Sequence, residues 1–255
     1  MTLQSRLDRR EGYALVGIAV AVGAWLLLPH IAQPQDYHDF ADQRAFLGVP
    51  NAADVLSNLA FVAVAVLGLW RLARDTLPLA PVVKFSMYIF FAGLFLTGFG
   101  SAYYHWEPND QTLVWDRLPM TIAFAGMLGT LFGERISRRA GTAMIVFMLV
   151  VGPGSVFYWK ATGDLSVYVA DQFGAMAAVI MTLLFTEKGR DPFPWWTLIG
   201  WYTLSKVAEA GDVLLWDATH ELFAGHVVKH LAAAMGGLAI ANALRRPPVA
   251  LRAPA

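Results

Sequence analysis

The chain contains no cysteine. That excludes disulfides, a thiolate metal site and a cysteine nucleophile, and it leaves the redox compartment unread. Charge is scarce too. Asp, Glu, Lys and Arg make up 15% of the residues, against about 25% in a soluble domain. The 19 basic and 19 acidic residues cancel, so no electrostatic case for nucleic acid arises. Low-complexity tracts and a convincing internal repeat are also missing. What fills the 255 residues is apolar: 57% are hydrophobic and the mean hydropathy is +0.49. This is the composition of an integral membrane protein.

The apolar residues fall in runs at 13–28, 54–70, 82–104, 113–133, 142–159, 167–186, 195–216 and 225–244. Most reach the roughly 17 to 25 residues a helix needs to cross a bilayer. Runs this long exclude barrel strands, and only helices or closed barrels satisfy their backbone in lipid. The fold class is therefore all-α, with eight expected helices joined mostly by short loops. The arginine-rich start (Arg6, Arg9, Arg10) followed by run 13–28 has the outline of a signal peptide. The run is long for that and no small-x-small cleavage site follows, so a retained helix is expected. The domain reading is 1–53 for this helix and an acidic loop, 54–244 for the membrane domain and 245–255 for a tail. With the N-terminus in the cytoplasm, all basic residues but Arg44, Arg117, Lys160, Lys206 and Lys229 fall on the cytoplasmic side. Both termini are then cytoplasmic.

On the opposite, outer side the chain collects chemistry. His226 and His230 are four apart at the head of the last run, hence on one helix face. Alone, such a pair is as often packing as ligation. Ser101 and His105 repeat the spacing at the end of run 82–104, and Asp116 follows. Three histidines, a carboxylate and a serine at membrane-segment ends are the parts of a hydrolytic zinc site. Zinc in hydrolases takes three protein ligands and keeps one position for water. His105, His226 and His230 supply the three. Asp116 is the candidate general base, and Ser101 the candidate for steadying an oxyanion. The bland alternatives are a Ser101 bonded within its own helix and an Asp116 favoured by a helix N-terminus. Ionisable groups near membrane spans are nonetheless functional candidates by default. Lys206, Glu209 and Asp212 are spaced by three and read as pairing with one another. Asp171 reads as a hydrogen-bonding or cavity-lining group, and His30 and His38 as solvated.

Four stretches carry a resemblance. They are Asp54-Val-Leu-Ser57-Asn58-Leu59, Gly98-Phe-Gly100-Ser101-Ala-Tyr-Tyr-His105, Trp115-Asp116-Arg-Leu118-Pro119-Met120 and His226-x-x-x-His230. In this order they resemble the motifs of the alkaline ceramidases and their bacterial relatives, in the superfamily of membrane hydrolases that includes the adiponectin receptors. The resemblance implies a seven-transmembrane-helix hydrolase core, with helix 13–28 as one extra N-terminal transmembrane helix. It implies zinc on the three histidines and hydrolysis of a lipid amide, ceramide or another N-acyl lipid, to a fatty acid and a long-chain amine. It also implies calcium near the start of the core, for which Asp36, Asp39, Asp42 and Asn51 offer the hard oxygen ligands; a solvated acidic loop is the alternative. The expected setting is a bacterial inner membrane with the active site toward the outer face.

Two residues depart from the family pattern. Arg117 replaces an acidic residue, and Lys229 stands where eukaryotic members carry an aromatic; either would alter head-group preference. Two other functions remain open at this point. One is a receptor or scaffold that holds zinc without turnover. The other is a proton-coupled transporter using Asp171, Glu209 and Asp212.

Overall fold

A computed structural model describes residues 11–12, 27–74, 77–187 and 193–245. Most of the expected first helix, 13–26, and the tail from 246 onward lie outside the described residues. Within them the chain is helical, without a named strand. After a short 3-10 turn at Gln35–His38 come α1 (Ala52–Ser57), α2 (Leu59–Ala73), α3 (Pro81–Trp106), α4 (Asp110–Arg135) and α5 (Arg138–Thr162). There follow α6 (Ser166–Phe185), α7 (Trp195–Ala210), α8 (Asp212–Ala218) and α9 (Gly225–Ala243).

Among the described residues, four helices are long and apolar enough to cross a membrane: Ala52–Ala73 (α1 and α2 together), Pro81–Trp106, Arg138–Thr162 and Ser166–Phe185. The other long helices carry the polar groups of interest, Asp116 and Arg117 in α4 and His226, Lys229 and His230 in α9. Those side chains lower the apolar character of their helices. Run 195–216 is not one helix, as expected, but breaks at Gly211 into α7 and α8. Run 54–70 turns at Asn58, where the Ser57 hydroxyl and the Asn58 amide both donate to the Asp54 carbonyl. Side chains that compete for a helix carbonyl in this way bend the helix.

Helix starts follow local chemistry. Pro81 opens α3, where its missing N–H costs nothing. Asn109 and Thr112 form a reciprocal capping box at α4. Ser137 caps α5, and Gly163 ends it with φ of 75°.

The crossing of α3 and α4 sets the geometry of the site. Proline at 119 lies inside α4 and cannot donate to the Trp115 carbonyl. Gly100 of α3 packs against that carbonyl so closely that a Cβ there would overlap its oxygen. Gly93 and Gly126 meet Ala123 and Phe90 backbone in the same way. Small residues let membrane helices approach this closely. The main apolar core draws on the long helices α2 to α7 and on α9. A smaller cluster of Phe40, Tyr104, Leu113, Val114, Val156, Trp159, Leu165 and Tyr168 closes the end at which the histidines sit.

Candidate metal centre

Helix α9 begins at Gly225 for a steric reason. A Cβ there would overlap the Ala208 carbonyl oxygen and crowd the Asp212 backbone. With hydrogen in its place, the start of α9 drops onto the α7–α8 break. The His226 amide then donates to Asp212 Oδ1 at 2.7 Å. An N-terminal amide capped by a carboxylate is favourable on both hydrogen-bonding and dipole grounds. Asp212 therefore does not pair with Lys206 or Glu209, as its spacing suggested. It caps α9, and its Oδ2 accepts from the Ala41 amide at 3.0 Å.

His105, His226 and His230 meet at this point, all buried, with ligand atoms within 4.8 Å of one another. The rings stand edge to face, their centroids 4.8 to 5.0 Å apart. Both ring nitrogens of His105 and Nε2 of His230 are buried without a hydrogen-bond partner. Buried polar atoms normally find partners; an unpartnered nitrogen on each of His105 and His230, beside the His226 ring, fits a metal ion. The donor set of three imidazoles suits zinc and related first-row metals. Ser57 orients one of them. Its hydroxyl donates to the Asp54 carbonyl at 2.8 Å. Toward His230 Nδ1, at 2.7 Å, the oxygen must then accept. That assigns the ring proton to Nδ1 and leaves the Nε2 lone pair facing the cluster.

An apolar cavity runs from His230 into the bundle. Its polar end is lined by Ser101, Asp116, Lys206, Lys229 and His230, and its body by Phe90, Leu94, Met127, Met176, Leu198 and Gly237 among others. Asp116 is two turns into α4, beyond the Asn109 cap and the first-turn Asp110. It is therefore not an N-terminal helix carboxylate. Asp171 is buried beside Gln172, which lines the cavity.

A comparison with protein-family models matches residues 49–206 to the family described as Ceramidase. The chain belongs to the ceramidase family. The match spans more than half of the sequence and includes Ser101, His105 and Asp116. It stops short of His226 and His230, which the fold brings to His105 from beyond the matched stretch. No curated protein matches the chain.

Sequence reasoning missed how this member of the ceramidase family covers its histidines. The loop before α1 folds over them. Phe40 is buried, its ring centroid 4.5 Å from His105 and 4.7 Å from His226. Tyr37 donates to Glu209 at 3.1 Å, and burial raises its phenol well above the ordinary range. His38, expected to be solvated, contacts the Tyr104 hydroxyl at 2.9 Å and Asp110 at 3.1 Å. Gln33 accepts from Arg117 at 2.6 Å. The Arg117 guanidinium lies 4.3 Å from the Trp159 ring and 4.8 Å from that of Tyr168. It anchors the loop and is not among the residues lining the cavity. The signal for this in the sequence was the aromatics Tyr37 and Phe40 within a largely polar loop.

The residues expected to hold calcium make contacts of their own. Both Asp42 oxygens accept from the Arg44 guanidinium, at 2.8 and 2.7 Å. These bonds hold the Asp42 carboxyl below its ordinary range. Asn51 donates its amide to the His105 carbonyl at 2.9 Å. Asp36 and Asp39 are exposed. Among the described residues, no second group of three His, Asp or Glu side chains is gathered as the triad is.

Proposed function

We propose that the chain is a metal-dependent hydrolase that cleaves the amide bond of ceramide or a related N-acyl lipid within the membrane. The observation that carries this reading is the buried three-histidine cluster at the polar end of an apolar cavity, in a member of the ceramidase family. His105, His226 and His230 would hold zinc. The metal would supply Lewis acidity and an activated water.

The chain's own residues divide the rest. The apolar wall of the cavity takes the acyl chain. Asp116 takes a proton from the attacking water as its oxygen bonds to the amide carbon. Ser101 donates to the carbonyl oxygen as that oxygen gains charge. Asp116 then delivers the proton to the nitrogen as the C–N bond breaks. A fatty acid and a long-chain amine result. The reading includes a seven-helix domain over 54–244, preceded by helix 13–28, with both termini cytoplasmic and the site toward the outer face.

Two of the transporter alternative's three carboxylates are engaged: Glu209 pairs with Lys206 and Lys229, and Asp212 caps α9, which leaves Asp171 alone for a proton path. The test is fatty-acid release from a panel of N-acyl lipids by purified protein. Release by the wild type and none by Asp116→Ala, with metal still bound, is expected. No release from any amide lipid by the metal-loaded protein would overturn the proposal.

A further inference from the structure

Lys229 is the residue at the centre that the hydrolytic reading leaves without work. It stands three residues after His226 and one before His230, which turns it toward His226's face of α9. Its Nζ lies 3.1 Å from His226 Nε2 and 2.7 Å from Glu209 Oε1. Glu209 is held in turn by Lys206 Nζ at 2.8 Å and by the Tyr37 hydroxyl at 3.1 Å. Both lysines line the cavity at its polar end, alongside Ser101, Asp116 and His230.

A structural ion pair has no need to touch a triad nitrogen or to open onto a cavity, and Lys229 does both. The charges also leave room for an anion. Among the residues lining the cavity, Lys206 and Lys229 outnumber the one carboxylate, Asp116; Glu209, Asp212 and Asp54 are not part of that lining. An ammonium group with a donor to spare, beside the metal position and at the head of an apolar channel, is matched by one ligand chemistry. It is a long-chain carboxylate.

We propose that Lys229, braced by Glu209, is the carboxylate-binding cation of the cavity. It takes the head of a long-chain fatty acid, and also the oxyanion from which that acid is released. The inference rests on reading the cavity as an acyl-chain site, and it adds Lys229 to Ser101 as a donor to the developing charge. Lys206 shares the load indirectly, since it holds Glu209 in place.

The test is a binding measurement and needs no turnover, so it stays readable if no amide substrate is ever found. Full-length protein in detergent is titrated with palmitate and, in parallel, with hexadecanol, which has the same chain and no charge. Zinc content is measured on the same samples. For Lys229→Met, palmitate affinity should fall about tenfold or more, the scale of one charge-assisted hydrogen bond. Hexadecanol affinity should hold, and zinc retention should be unchanged or stronger, because a cation near the metal has been removed. Lys229→Met leaves Glu209 with Lys206 and Tyr37 as partners, so no buried carboxylate is stranded; Lys229→Gln, a second uncharged variant, should show the same loss of palmitate selectivity. Unchanged palmitate affinity in a folded variant would overturn the proposal. So would parallel loss of palmitate, hexadecanol and zinc, which would mark Lys229 as structural.

Discussion

Replacing Ser57 by alanine should weaken zinc binding although Ser57 is not a ligand. The Ser57 oxygen lies 2.7 Å from His230 Nδ1, and its own proton is committed to the Asp54 carbonyl at 2.8 Å. Alanine removes the acceptor that keeps the ring proton on Nδ1. The His230 ring is then free to turn or to change tautomer, and either takes the Nε2 lone pair away from His105 and His226. Partners that orient a ligating histidine typically contribute about 10- to 100-fold in metal affinity, or roughly 1.4 to 2.8 kcal/mol. The hydrogen bond itself adds only about 1 kcal/mol to fold stability, so the variant should remain folded. The assay is competition for zinc against a chelator of known affinity, with Ser57→Thr as the control that keeps a hydroxyl. Affinity restored by threonine and lost by alanine is expected. Alanine binding zinc within twofold of wild type would refute the reasoning, since the contact would then orient nothing.

Asp116→Asn should lower turnover by about 10²-fold or more, the usual contribution of a general base, with zinc content unchanged by mass spectrometry. Gly100→Ala forces α3 and α4 apart at the Trp115 carbonyl. Overpacking of this kind costs about 1 to 3 kcal/mol in thermal denaturation, and a shift of about 1 Å between Ser101 and Asp116 should cost roughly 10²-fold in rate. Phe40→Ala removes the ring that covers His105 and His226. A buried phenylalanine contributes about 3 to 5 kcal/mol, and chelator should strip zinc from the variant several-fold faster than from wild type; an unchanged stripping rate would show that Phe40 does not seal the centre.

Much of this was legible in the residues. Spacing alone put His226 and His230 on one face, and the basic-residue asymmetry collected them with Ser101, His105 and Asp116 at one end of the bundle. Those are local or periodic signals, and they survive without a structure. What stayed hidden depends on contacts between distant stretches. Phe40 reads as one aromatic in a polar loop until the loop closes over the histidines. Asp212 reads as a partner for Glu209 until Gly225 brings the start of α9 against it. Arg117 reads as a head-group determinant beside Asp116, but adjacent helix positions point about 100° apart. One turns to the cavity and the other to Trp159, Tyr168 and Gln33. Ser57 lies within the first of the four motifs, yet its role depends on a contact to His230, 173 residues away.

The central claim is that three buried histidines hold a metal that serves amide hydrolysis. Metal content by mass spectrometry, taken with fatty-acid release from N-acyl lipids on the same preparations of wild type and His230→Ala, tests it most directly. Near-stoichiometric zinc in the wild type, lost from the variant together with release, is the predicted result. Chelator-free wild type that releases fatty acid without any bound metal, or His230→Ala that keeps both metal and activity, would contradict it.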